Sequence, residues 1–119
     1  MNNLEENLLK KVNDSPMTGA VNIRKNGKMW QRKNSKYVTI SDRKDGGGIE
    51  IRVKDNSPLA LVDIPVLITE SGLKDIVRND FYIGKNSKVL IYAGCGINNC
   101  REKETLHSGW HYFYIGENS

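Results

Sequence analysis

Residues 93–116 read AGCGINNCREKETLHSGWHYFYIG and hold both cysteines and both histidines of the chain: Cys95, Cys100, His107 and His111. Their spacing is C-x4-C-x6-H-x3-H. Thiolate and imidazole are good ligands for zinc or iron. A zinc finger places about twelve residues between its second cysteine and first histidine, so this spacing matches poorly. On one extended strand His107 and His111 would lie about 13 Å apart. They could share a metal only if Ser108–Gly109 makes a turn. The alternative packs Cys95 as a small apolar residue and holds His111 by hydrogen bonds within a strand layer.

Gly94 and Gly96 flank Cys95, which lets the backbone bend and leaves the sulfur accessible. An accessible thiol near basic groups can be reactive, and Arg101 and Lys103 follow Cys100 closely. A buried, inert cysteine is the competing reading. The chain carries no G-x-S-x-G, no GK[ST] phosphate loop and no H-E-x-x-H. Glu70, Asp75 and Asp80 show no spacing that would order them as an acid/base pair, and the expectation is that they are solvated at the surface. Nothing here indicates an enzyme.

The basic segment from Arg24 to Lys44 includes Lys25, Lys28, Arg32, Lys33, Lys36 and Arg43, with Asp42 its one acid. Trp30 and Tyr37 are interleaved with these cations. Stacking combined with phosphate contacts is how single-stranded nucleic acid is bound, but no RNP-type signature accompanies the segment. Aromatics in hairpins more often pack across strands.

These residues must be positioned by short elements. Leu4, Leu8, Leu9 and Val12 form one helical stripe, which predicts a short helix over residues 3–12, broken by Asn13–Pro16. AVNIR, KMWQR, KYVTIS and GIEIRV then alternate apolar and polar residues, as half-buried strands do. Asn26-Gly27 between two of them suits a two-residue hairpin turn, and DGGG at 45–48 is a loop. LALVDIPVLIT is either one strand covered on both faces or two strands joined at Asp63–Pro65.

FYIGKNS at 81–87 returns as FYIGENS at 113–119. Each copy parses as a strand followed by a Gly/Asn corner, with Phe81 and Ile83 on one face and Tyr82 on the other. Corners are expected at Asn34, Asn56, Asn86 and Asn118, because asparagine tolerates left-handed backbone angles. Strand repeats of this length predict a β-solenoid, with an all-β parallel β-helix as the physical candidate. Each layer would pair its backbone with the next and stack its aliphatic residues into one core. The last FYIGENS has no following strand, so the final layer is expected to be open, as in a truncated chain or one whose edge another subunit covers.

The chain has 119 residues and a net charge of +4, room for one domain. The expected division is a helix and linker over 1–18 and a β domain over 19–119. No apolar stretch approaches a membrane span and no signal peptide is read, so a cytoplasmic location with reduced cysteines is expected.

IPVLITESGL, NDFYIG, AGCGINN and HSGWHYFYIG, in that order, together with GAVNIRKNGKMWQRKNSKYVTI and GGGIEIRVK, resemble the core domain of the SufB/SufD family. The resemblance runs from about Gly19 to the end. It implies a right-handed parallel β-helix of a few rungs and a non-catalytic scaffold role in SUF-type iron–sulfur cluster assembly. It also implies partners: an ABC-type ATPase subunit, a second SufB/SufD-like subunit and a sulfur-donating cysteine desulfurase. Family members are longer, and their cluster-holding residues fall outside the matching stretch. A stably bound cluster is therefore expected of the intact family protein and not of this short chain. Cys95 matches the family's AGCG cysteine and is the candidate sulfur relay or cluster ligand. His107 and His111 match its H-x-G-x-H stretch, with Trp110 replacing the usual Ile or Val; Cys100 has no counterpart. The rival readings are a small zinc- or iron-binding module using Cys95, Cys100, His107 and His111, and a basic nucleic-acid-binding β domain.

Overall fold

A computed structural model describes residues 19–69, 74–97 and 106–119. The expected helix over residues 3–12 lies outside the described residues. Those described are all-β, with no helix.

The chain begins with β1 (Gly19–Lys25) and β2 (Lys28–Lys33), an antiparallel hairpin. Its turn residues Asn26 and Gly27 have φ of 49° and 81°, the positive angles a type I′ turn requires. β3 (Val38–Asp42) and β4 (Gly48–Val53) form a second antiparallel pair. β5 (Ala60–Asp63) and β6 (Val66–Ile68) divide the LALVDIPVLIT run at Ile64–Pro65, where proline cannot donate to a ladder. β7 (Lys74–Ile83), β8 (Val89–Tyr92), β9 (Cys95–Ile97) and β10 (Leu106–Ile115) follow.

Two mixed sheets result. In one, β1 pairs in parallel with β5 through Gly19–Val21 and with β6 through Arg24–Lys25. β5 and β6 then pair in parallel with β8 and β9. The interruption between β5 and β6 therefore lies against the one between β8 and β9, where Val66 N–H donates to Gly94 O at 2.7 Å. In the other sheet β4, β7 and β10 are successive parallel neighbours, and β3 covers the far edge of β4. From β4 to β10 the chain alternates between the sheets.

The core draws on both sheets: Ala20, Ala60, Val62 and Ile64 from one, and Ile49, Ile51, Val53, Phe81 and Ile83 from the other, with Val38 and Ile40 of β3. Val89 and Ile91 pack against it. The parallel register aligns inward residues in columns, Ile51 with Phe81 with Phe113 and Val53 with Ile83 with Ile115.

Asn56, Asn86 and Asn118 have φ of 59°, 52° and 62°, so the corners expected there form. Asn34 differs. It lies between β2 and β3, its φ is not positive, and its Oδ1 accepts the Ile40 N–H at 3.0 Å. The KNSK letters recur there in an antiparallel connection, where the chain has no layer to step onto.

The serines after the corners interlock. Ser87 Oγ accepts the Ser57 N–H at 3.2 Å and donates to Lys54 O at 2.6 Å. Ser119 Oγ accepts the Ser87 N–H at 3.1 Å and donates to Gly84 O. The bond to the serine N–H thus recurs at separations of 30 and then 32 residues, and the bond to the carbonyl at 33 and then 35. Gly84 makes the close stacking possible, since a Cβ there would meet Asp55 N at 2.5 Å.

Candidate functional site

β7 and β10 bring Asn79 and His111 into register, and β9 runs through the other sheet with Cys95 opposite Val66. A cleft of about 210 Å³ lies between them, with Ile64, Val66, Asn79, Gly94 and His111 among its lining residues. Asn79 is buried and His111 is exposed. The His111 ring sits 5.7 Å from that of Phe81, tilted by 32°. Cys95 directly follows Gly94, and its register partner Val66 lines the same cleft. The fold therefore brings Gly94, the residue before Cys95, and His111 to one cleft from positions 17 apart in sequence.

His107 occupies the β10 position opposite Asp75. β10 runs without interruption from Leu106 to Ile115, so Ser108–Gly109 continues the strand. Four residue steps along the strand put the histidines about 13 Å apart along the backbone. Cys100 lies outside the described residues. Among the described residues, no three His, Cys, Asp or Glu side chains gather as a metal site would require.

Two carboxylates expected at the surface are instead buried. Asp75 accepts from Arg24 Nε at 2.9 Å and from Arg24 Nη2 at 2.8 Å, with its side chain 3% exposed. Asp80, 4% exposed at its side chain, pairs with Arg43 and accepts from Arg78 Nε at 2.9 Å. A buried carboxylate needs such partners because desolvation disfavours its charge. Glu70 lies outside the described residues. Asp45 continues this network at the surface. The side-chain bond from Arg43 and then the Gly47 N–H, at 2.9 Å, hold its pKa down to about 2. Arg43 is raised above its ordinary value chiefly by its bond to Asp45, and Arg78 by its bond to Asp80.

The same pairs use up much of the basic segment. Arg24 and Arg43 are engaged as above, and Arg32 donates to Asn22 at 2.8 Å and to Asp42 at 2.7 Å. Lys25 Nζ lies 4.6 Å from the Trp30 ring centroid and Lys36 Nζ lies 5.4 Å from that of Tyr37. Both aromatics of the basic segment thus lie beside the chain's own lysines.

Sequence reasoning missed an outward column in which the Arg52 guanidinium lies 4.3 Å from the Tyr82 ring, which stacks on Tyr114 at 4.9 Å. Beside it Arg78 lies 4.0 Å from the Tyr112 ring. Aligning the two FYIG copies pairs Tyr82 with Tyr114, but Arg52 comes from β4, which carries no copy, and Arg78 precedes the copy in β7.

Comparison with family models, curated proteins and solved structures found no match to this chain. Among the described residues no helix is long and apolar enough to cross a membrane.

Proposed function

We propose that residues 19–119 form successive coils of a right-handed parallel β-helix belonging to a SufB/SufD-like scaffold, a non-enzymatic cytoplasmic component of SUF-type iron–sulfur cluster assembly. The observation that carries this reading is the run of β4, β7 and β10 in parallel register, each left through an asparagine corner of like geometry. A solenoid whose strands stack this way presents an extended surface, which suits a platform for partners. The series of SufB/SufD-like motifs supplies the partner classes: an ABC-type ATPase subunit, a second scaffold subunit and a cysteine desulfurase. The nascent cluster is cargo of the assembled platform.

Within this chain Cys95 is the proposed acceptor of sulfur, with His111 at the same cleft and His107 and Cys100 further from it in role. That choice follows the match of Cys95 to the AGCG motif, with the preceding Gly94 lining the cleft that His111 lines, and the uninterrupted β10 disfavours the four-ligand metal module. The test is sulfur transfer from a cysteine desulfurase supplied with labelled cysteine. Label should appear on the chain as a reducible persulfide, disappear in Cys95→Ala and persist in Cys100→Ala. Absence of label on the native chain, or its retention in Cys95→Ala, would remove Cys95 from the role.

A further inference from the structure

The inward residues of β7 are Asp75, Val77, Asn79, Phe81 and Ile83, all of them buried. Asp75 has its ion pair with Arg24, and Val77, Phe81 and Ile83 are apolar. Asn79 differs from both kinds. It is 9% exposed, and its side-chain amide makes no hydrogen bond among the described residues. β7 is paired along both edges, by β4 and β10, so this burial belongs to the interior of the stack. The register neighbour of Asn79 on β4 is Ile49, also buried. Packing alone would favour another aliphatic residue, because a buried amide without a partner destabilises a fold. The amide therefore points to a group that it meets in the cleft it lines.

The lining narrows the chemistry of that group. Ile64 and Val66 supply aliphatic walls, and His111 follows Asn79 in the column. Among the described lining residues there is no Lys or Arg. Phosphate, sulfate and other hard oxyanions are held by charge-assisted bonds, most often from such cations. Sulfur is softer and more polarizable, tolerates aliphatic contact and accepts weaker N–H bonds. β9 places Cys95 opposite Val66 and directly after Gly94, and Val66 and Gly94 both line the cleft.

We infer that Asn79 binds the transferred sulfur, its Nδ2–H donating to the terminal sulfur of a persulfide on Cys95. This role rests on the sulfur-acceptor reading of Cys95 proposed above. In the transfer the Cys95 thiolate attacks the terminal sulfur of the desulfurase's cysteine persulfide. A new S–S bond forms at Cys95 as the donor's S–S bond breaks, and the donor cysteine leaves as a thiolate. No net oxidation occurs. The terminal sulfur then loses its proton to solvent, and the amide favours the anion that results.

The test uses the full chain carrying Cys100→Ala, in which Cys95 is the single thiol. Inorganic polysulfide loads it by the same exchange, with a shorter polysulfide as leaving group, so no desulfurase is needed. Alkylation of the persulfide by iodoacetamide, read by mass spectrometry across pH, gives the midpoint of its ionisation. His111, the titratable side chain among the described lining residues, is common to every variant. Asn79→Leu, similar in size, removes the donor and should raise the midpoint by about one unit. Asn79→Asp sets a like charge beside the sulfur and should raise it further. The Tm of Asn79→Leu should equal or exceed the native value, because an unpaired amide gives way to an apolar side chain. Three outcomes overturn the inference: midpoints unchanged in both variants, no sulfur taken from polysulfide, or a Tm that falls by several degrees in Asn79→Leu. The last would mean that the amide is already paired within the fold. Unchanged midpoints with Cys95 still labelled by the desulfurase would remove Asn79 and leave Cys95 as the acceptor.

Discussion

Phe81 and Phe113 are register partners on adjacent parallel strands, and their rings stack with centroids 4.6 Å apart and planes within 11°. Two copies of one seven-residue phrase thus occupy equivalent positions on neighbouring parallel strands. The two rings differ in cover, since Phe81 is fully buried and Phe113 is 52% exposed. Phe81→Ala should therefore cost about 3–5 kcal/mol, the usual range for deleting a fully buried aromatic. Phe113→Ala should cost about 1–2 kcal/mol, because roughly half of its area is already in water. Urea denaturation of the two variants measures the difference. Equal costs would mean that Phe113 is covered in solution.

Ser87 provides a second asymmetry. It is 1% exposed, and its hydroxyl satisfies both the Ser57 N–H and the Lys54 carbonyl. Ser87→Ala strands two main-chain groups at a buried corner and should cost about 1–3 kcal/mol. Ser119 makes the equivalent bonds one layer on but is exposed. Water replaces its hydroxyl, so Ser119→Ala should cost less than about 1 kcal/mol. Thermal denaturation of both variants tests the ordering.

Gly48 tests the contact between β4 and β7 directly. A Cβ at this position would stand 1.7 Å from Arg78 O, and its φ of +154° is one that side chains rarely adopt. Gly48→Ala should cost about 3 kcal/mol, from backbone strain added to a clash with main chain. Gly46, at φ +74°, faces open space, and a Cβ there would meet nothing within 4 Å. Gly46→Ala should cost only about 1–2 kcal/mol, the left-handed penalty alone. Circular dichroism melts of the pair separate steric contact from backbone angle.

The sequence disclosed what local chemistry determines. Asn26-Gly27 announces its hairpin because a two-residue turn of that kind needs two positive φ angles. FYIGKNS and FYIGENS disclose the corners and the Phe81–Phe113 column because the repeat carries its own register. What stayed hidden depends on which distant strands become neighbours. Arg24 and Asp75 are 51 residues apart and meet only after the chain has crossed between sheets. Asp80 looks like any surface acid until β3–β4 delivers Arg43 to it. Asn34 has the corner's letters without the corner because its neighbours pair antiparallel. Of the candidate site, the sequence supplied Cys95 and His111 but not Asn79 or the cleft. That hollow is lined from both sheets, by the breaks at Ile64 and Ala93–Gly94 and by Asn79, Gly109 and His111 of the facing strands.

The acid limb of the protein's stability should carry a mark of the Arg43–Asp45 pair. Asp45 Oδ1 accepts from Arg43 Nε at 3.2 Å and from Gly47 N–H at 2.9 Å, and Oδ2 accepts from Arg43 Nη2 at 3.0 Å. All three bonds favour the charged carboxylate, and its pKa falls from 3.8 to about 2. A folded-state pKa below the unfolded one means that the unfolded chain binds the proton first as pH drops. The stabilisation is therefore complete above the ordinary carboxylate pKa and is lost as pH falls through 3.8 toward about 2. Carbon-detected NMR titration of the Asp45 carboxyl should show a midpoint near 2 in the native chain. In Arg43→Gln, which keeps a polar side chain but removes the guanidinium, that midpoint should rise toward 3.8, with the Gly47 bond retaining part of the depression. An unchanged midpoint would transfer the effect to the Gly47 N–H and leave Arg43 bound to Asp80 alone.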